Sequence, residues 1–156
     1  MREADRQARR NAFLYCKFRD EQFALYDAFA KSCGMTMNTL LVVNALYYAE
    51  DGLTQREICD AVHHSKQTVS LIVKKLLAEG RVELAASESD GRAKVVRLTG
   101  AGRAWAEYPV RHITLSEDNA MALFSPEEQE QLVALSRTFT KNLKALVQNT
   151  NERDPE

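Results

Sequence analysis

The hydrophobic pattern along the chain is helical in period, broken by one short stretch with the period of a strand. From about residue 3 to 31 a long helix is expected, with Phe18, Phe23, Leu25, Tyr26 and Phe29 as its apolar surface and Gly34 placed to stop it. Asn38 to Ala49 carries Leu40, Leu41, Val42, Val43 and Leu46 and is apolar nearly all round, as in a helix buried on every side. Thr54-Gln55-Arg56-Glu57 has the form of a capping box, in which the Thr hydroxyl and the Glu carboxylate each accept from the other residue's backbone N–H. It opens a short helix reaching about Val62, with Ile58, Ala61 and Val62 expected inside, and His63-His64 makes the turn. Ser65 is a suitable N-cap for the next helix, which runs to Glu79. Val69, Ile72, Val73, Leu76 and Leu77 fall there at i, i+3, i+4, i+7 and i+8, forming one buried stripe.

After Gly80 the period changes. Val82-Glu83-Leu84 and Val96-Arg97-Leu98 alternate as strands do, and the polar, turn-rich Ser87 to Arg92 lies between them, so a β-hairpin is expected. From Thr99 the pattern is helical again, and Pro109 is expected to kink or break that helix. Ser125-Pro126-Glu127-Glu128 is a strong helix start: an N-cap, a proline in the first turn and acids near the positive end of the dipole. Leu132, Leu135, Phe139, Leu143 and Leu146 then form a stripe at spacings of 3, 4, 4 and 3. The fold class is therefore mainly α with a small antiparallel β-hairpin: a winged helix-turn-helix core flanked by N- and C-terminal helices. The expected boundaries are residues 1–34 for the N-terminal helix, 35–100 for the core, 101–150 for the C-terminal helices and 151–156 for a disordered tail.

Composition narrows the class without naming it. The 156 residues are 45% hydrophobic and 28% charged, which fits neither a disordered chain nor a membrane protein. No apolar run approaches the roughly 18 residues of a membrane span. MREADRQARR is charged throughout and leads into no signal-peptide hydrophobic region, so a cytoplasmic location is expected. Cys16, Cys33 and Cys59 fit neither a zinc site nor a disulfide framework. The net charge of −1 hides an uneven distribution: Thr54 to Arg103 holds nine Lys/Arg against six Asp/Glu. The middle of the chain is thus locally basic, as a nucleic-acid surface requires.

The candidate chemistry lies on the outward positions of the helix after Ser65. Lys66, Gln67, Thr68, Ser70, Lys74 and Lys75 are the residue types that DNA reading uses. Gln pairs with adenine, Lys reaches guanine or phosphate, and Ser and Thr serve either role. Thr54, Gln55 and Ser65 complete the candidate contacts at the two helix starts. Arg92, Lys94 and Arg97 on the hairpin suit the adjacent minor groove, with Asp90 placed to hold the Arg92 guanidinium. No nucleophile–base pair, phosphate loop or metal-ligand spacing occurs, so no enzyme, cofactor or metal is expected.

These residues resemble a known family. Thr54-Gln55-x-Glu57-Ile58, Ser65-Lys66-Gln67-Thr68-Val69-Ser70, Asp90-Gly91-Arg92 and Leu98-Thr99-x-x-Gly102 are similar to the MarR family of winged-helix regulators. The resemblance implies a homodimer built from the terminal helices, binding to palindromic operators in double-stranded DNA, and release by small aromatic ligands or by oxidation. Tyr15, Tyr26, Tyr47, Tyr48, Trp105 and His112 are the candidate lining of an effector pocket. Two other readings remain open: a thiol-based redox-responsive regulator using Cys16, Cys33 or Cys59, and a protein-interaction module, for which Leu71 on the outer helix face is the motive.

Overall fold

In a computed structural model, residues 5–86 and 94–151 are described. They form helices α1 (Arg6–Ser32), α2 (Met37–Tyr47), α3 (Gln55–Val62) and α4 (Lys66–Ala78), strands β1 (Val82–Ala86) and β2 (Lys94–Leu98), and helices α5 (Gly100–Met121) and α6 (Pro126–Asn151). The chain divides into two compact units, Met1–His112 and Ile113–Glu156. The tail expected at 151–156 falls outside the described residues, except that α6 includes Asn151.

In the first unit the helices start where local chemistry provides a cap. The Asp5 carboxylate accepts from the Ala8 N–H at 2.7 Å, and the Thr36 hydroxyl from the Thr39 N–H at 3.1 Å. The core gathers around α2, whose Val42, Val43 and Leu46 meet Ile58 of α3, Val69, Val73 and Leu76 of α4, Val82 and Val96 of the hairpin, and Ala106 and Val110 of α5. The central place of α2 accounts for its all-round apolar sequence. Each fully buried Val, Leu or Ile contributes about 1.5–3 kcal/mol relative to exposure. A smaller cluster of Ala30, Met35 and Leu40 ties the end of α1 to α2.

β1 and β2 pair antiparallel with Val82 opposite Leu98 and Leu84 opposite Val96. Leu53, just ahead of α3, adds an isolated bridge to the hairpin: its N–H donates to the Val96 carbonyl at 3.0 Å and its carbonyl accepts from the Val96 N–H at 2.8 Å. Gly52 has φ of +81°, and a Cβ there would lie 2.7 Å from the Val96 oxygen, so both backbone angle and space require glycine.

Two expectations are corrected. Ala61 is exposed. The inward face of α3 is set by Ile58, Cys59 and Val62, all packed in the core, and Ala61 lies about 110° around the axis from its centre. Pro109 does not break α5, which continues to Met121. A proline cannot donate to the carbonyl of Trp105, a cost of about 3 kcal/mol in a helix interior. Pro109 is buried beside buried Val110, so its ring recovers part of that cost as core packing.

In the second unit, Ser125 caps α6 with a second reciprocal pair: its N–H donates to Glu128 Oε2 at 2.8 Å and its hydroxyl accepts from the Glu128 N–H at 3.3 Å. Leu132, Leu135, Leu143 and Leu146 on α6 are 42–69% exposed in a single copy. No helix among the described residues is long and apolar enough to cross a membrane.

Candidate nucleic-acid interface

The two helices that form the site are fixed by their first turns. Thr54 accepts from the Glu57 N–H at 3.2 Å, while its own N–H and hydroxyl donate to Glu57 Oε2 at 2.7 and 2.8 Å. The backbone bond from Thr54, and after it the hydroxyl bond, hold the Glu57 carboxyl below the usual glutamate range. α3 ends at His63, whose φ of 53° is left-handed and turns the chain sharply. Ser65 then caps α4: its hydroxyl accepts from the Thr68 N–H at 3.2 Å and pairs with the Thr68 hydroxyl at 3.0 Å.

With its start held and Val69, Val73 and Leu76 buried, α4 has a fixed rotation about its own axis. Lys66, Gln67, Lys74 and Lys75 are exposed, and Thr68 and Ser70 are half-buried at the edges of that face. The hydroxyls of Thr54, Ser65 and Thr68 are engaged in caps, while Gln55 is half-buried in the first turn of α3. Leu71 is 61% exposed in the middle of the polar residues.

The hairpin begins directly after α4. Thr99 closes its root: the hydroxyl donates to the Gly80 carbonyl at 2.8 Å and accepts from the Gly102 N–H at 2.9 Å. Lys94 opens β2 and is exposed. Arg97 is not a spare cation, since its Nε donates to Glu83 Oε1 across the strands at 2.6 Å. Asp90 and Arg92 lie outside the described residues.

The six candidate pocket residues lie on α1, at the end of α2 and on α5. Trp105 packs against both core clusters, with the Arg81 guanidinium 4.9 Å from its ring centre. His112 stacks on Phe29 at 4.9 Å and on Tyr108 at 5.5 Å. Tyr47 and Tyr48 meet edge-on at 5.4 Å at the end of α2. Tyr26 is half-buried on α1, and Tyr15, 40% exposed, lies about 16 Å from it along the same helix.

Several participants in this region carry no local signal. Arg103 lies over the Tyr47 ring at 4.6 Å and donates to the Tyr47 carbonyl at 3.2 Å, a pairing across 56 positions. Arg81 and Phe29 likewise meet aromatic partners that are remote in sequence. Tyr108 alone was within reach of a pattern argument, one helical turn before His112.

A short capped helix, a left-handed turn, a second helix with a polar outer face and a hairpin closed by Thr99 together define a winged helix-turn-helix. Residues 34–93 match the MarR family. The fold is that of the MarR-family transcriptional regulators. It is similar to that of AbsC, a MarR family transcriptional regulator from Streptomyces coelicolor, with TM-score 0.76 and 17% identity, covering 93% of this chain and 99% of that one. It also resembles the MepR–DNA complex of S. aureus, with TM-score 0.65 and 25% identity over 87% of this chain and 97% of that one. PcaV of Streptomyces coelicolor, in complex with its natural ligand, has TM-score 0.65 and 24% identity over 90% and 98% of the two chains. No curated protein matches the sequence. The MarR match covers α2, α3, α4 and β1, the elements that carry the polar ridge.

Proposed function

We propose that this chain is a sequence-specific DNA-binding regulator, a homodimer that represses from palindromic operators and is released by a small aromatic ligand. The observation that carries the reading is the ridge of α4. Lys66, Gln67 and Lys74 face solvent on a helix whose opposite side is locked into the core. That is how a recognition helix is presented to a major groove, with its N-terminal residues toward base edges. Gln67 offers a bidentate pair to adenine, and Lys66 and Lys74 supply phosphate or guanine contacts. Ser70 lies at the edge of the same face. Lys94, with Arg92 and Asp90, belongs to the wing.

A second copy of the chain is the partner that the exposed apolar residues of α6 fit. Two copies place two such helices in successive major grooves about 10 bp apart. The fold's likeness to MepR, solved on DNA, and to PcaV, solved with its natural ligand, supports both halves of the proposal.

The test is fluorescence anisotropy with duplex DNA from upstream of the chain's own gene, across a series of salt concentrations. Log affinity should fall linearly with log salt. Lys74→Ala should reduce the slope by about 0.9 for each phosphate that is no longer neutralised, about 1.8 for a dimer. Affinity that does not depend on salt refutes the proposal.

A further inference from the structure

The centre of the α4 ridge is not polar. Leu71 is 61% exposed, and the residues one turn away on either side, Gln67, Thr68, Lys74 and Lys75, are all polar. At 100° per residue, buried Val69 and Val73 each lie about 160° around the axis from Leu71, while Gln67 and Lys75 lie about 40° away. Leu71 therefore points almost directly away from the core, along the crest of the surface assigned to DNA. A single exposed leucine elsewhere would need no account. Here it stands where each side chain meets the floor of the major groove.

The apolar group that the floor of the groove offers is the C5 methyl of thymine; the remaining edge groups there are hydrogen-bond donors and acceptors. We infer that Leu71 reads a thymine methyl, so that each half-site carries an A·T pair beneath the middle of α4, beside the base offered to Gln67. The inference rests on the DNA-binding reading above. It adds a specificity determinant: a thymine methyl gains an apolar contact, and a cytosine at the same place, which carries only hydrogen at C5, forfeits it.

The experiment uses the 156-residue chain and a duplex that it selects from a randomised library. Each thymine of that duplex is replaced in turn by deoxyuridine, which keeps every hydrogen-bonding group and removes only the methyl. For the wild type, one position in each half-site should weaken binding about fourfold on losing its methyl, with all other positions near neutral or explained by other contacts. Leu71→Ala should bind the thymine and uridine duplexes alike at that position. Alanine is a strong helix former and the site is exposed, so this variant keeps its fold. Wild-type indifference to uridine at every position overturns the inference, as does equal sensitivity in Leu71→Ala, and a Leu71 that serves a protein partner instead would give the first of these results. Recovery of no duplex at all overturns the DNA-binding reading itself, a separate outcome.

Discussion

Adding one methyl group at Gly102 should destabilise the chain by about 3 kcal/mol. Gly102 is buried in the first turn of α5, against the residue that leads into β1. A Cβ there would lie 2.7 Å from the Arg81 carbonyl carbon and 3.1 Å from its Cα. Ordinary carbon–carbon contacts are about 3.5–4.0 Å, so one side must retreat by about 1 Å. The obstacle is backbone, and it is tethered: the Arg81 carbonyl accepts from the Thr99 N–H at 3.0 Å, and the Arg81 N–H donates to Leu76 at 2.9 Å. Retreat strains those bonds, each contributing about 0.5–1.5 kcal/mol, in addition to an overpacking cost of about 1–3 kcal/mol, while alanine's helix preference returns at most about 1 kcal/mol. Urea denaturation followed by far-UV circular dichroism, at one fixed protein concentration, measures the difference. Thermal melting should fall by about 6–12 °C. Gly100→Ala is the internal control, since a Cβ there meets nothing within 4 Å. If the two variants differ by less than about 0.5 kcal/mol, the argument from close approach is wrong.

The cap on α3 makes stability depend on acid. The Glu57 carboxyl titrates below its unfolded value of about 4.3, so its contribution is complete above that value and is lost as pH falls through the lower, folded one. Glu57→Gln should flatten the acid limb of urea midpoint against pH, and an unchanged limb would remove Glu57 as its source. On α6, Leu143 is 44% exposed in one copy, and Leu143→Asp should shift the mass in sedimentation velocity from dimer to monomer. Retention of the wild-type mass would place the partner surface elsewhere.

What could be read in advance was what depends on near neighbours. The caps at Thr54, Ser65 and Ser125 each need a donor and an acceptor three residues apart, and each formed as expected. The stripe from Val69 to Leu76 was legible because helical period alone selects its face. Ala61 was misplaced because α3 is only eight residues long, and so short a helix allows two nearly equivalent inner faces until α2 and α4 choose one. Pro109 was misjudged because local rules count the missing N–H and cannot count the burial of its ring. The pairing of Arg97 with Glu83 depends on strand register, and the placing of Arg103 on Tyr47 depends on how α2 and α5 meet. Neither leaves a mark in spacing. The separation of Tyr15 from Tyr26 follows from helix length, which residue type does not report.

The bridge between Leu53 and Val96 has a mechanical consequence. Two main-chain bonds fasten the entrance of α3 to the middle of β2, and Gly52 lets the strands close to contact. The root of the wing and the α3–α4 pair, whose Ile58 and Val69 share the core, therefore form one chassis. Any signal that tilts the former must swing the latter through the same arc, so the pair reports as one lever and not as two independent fingers.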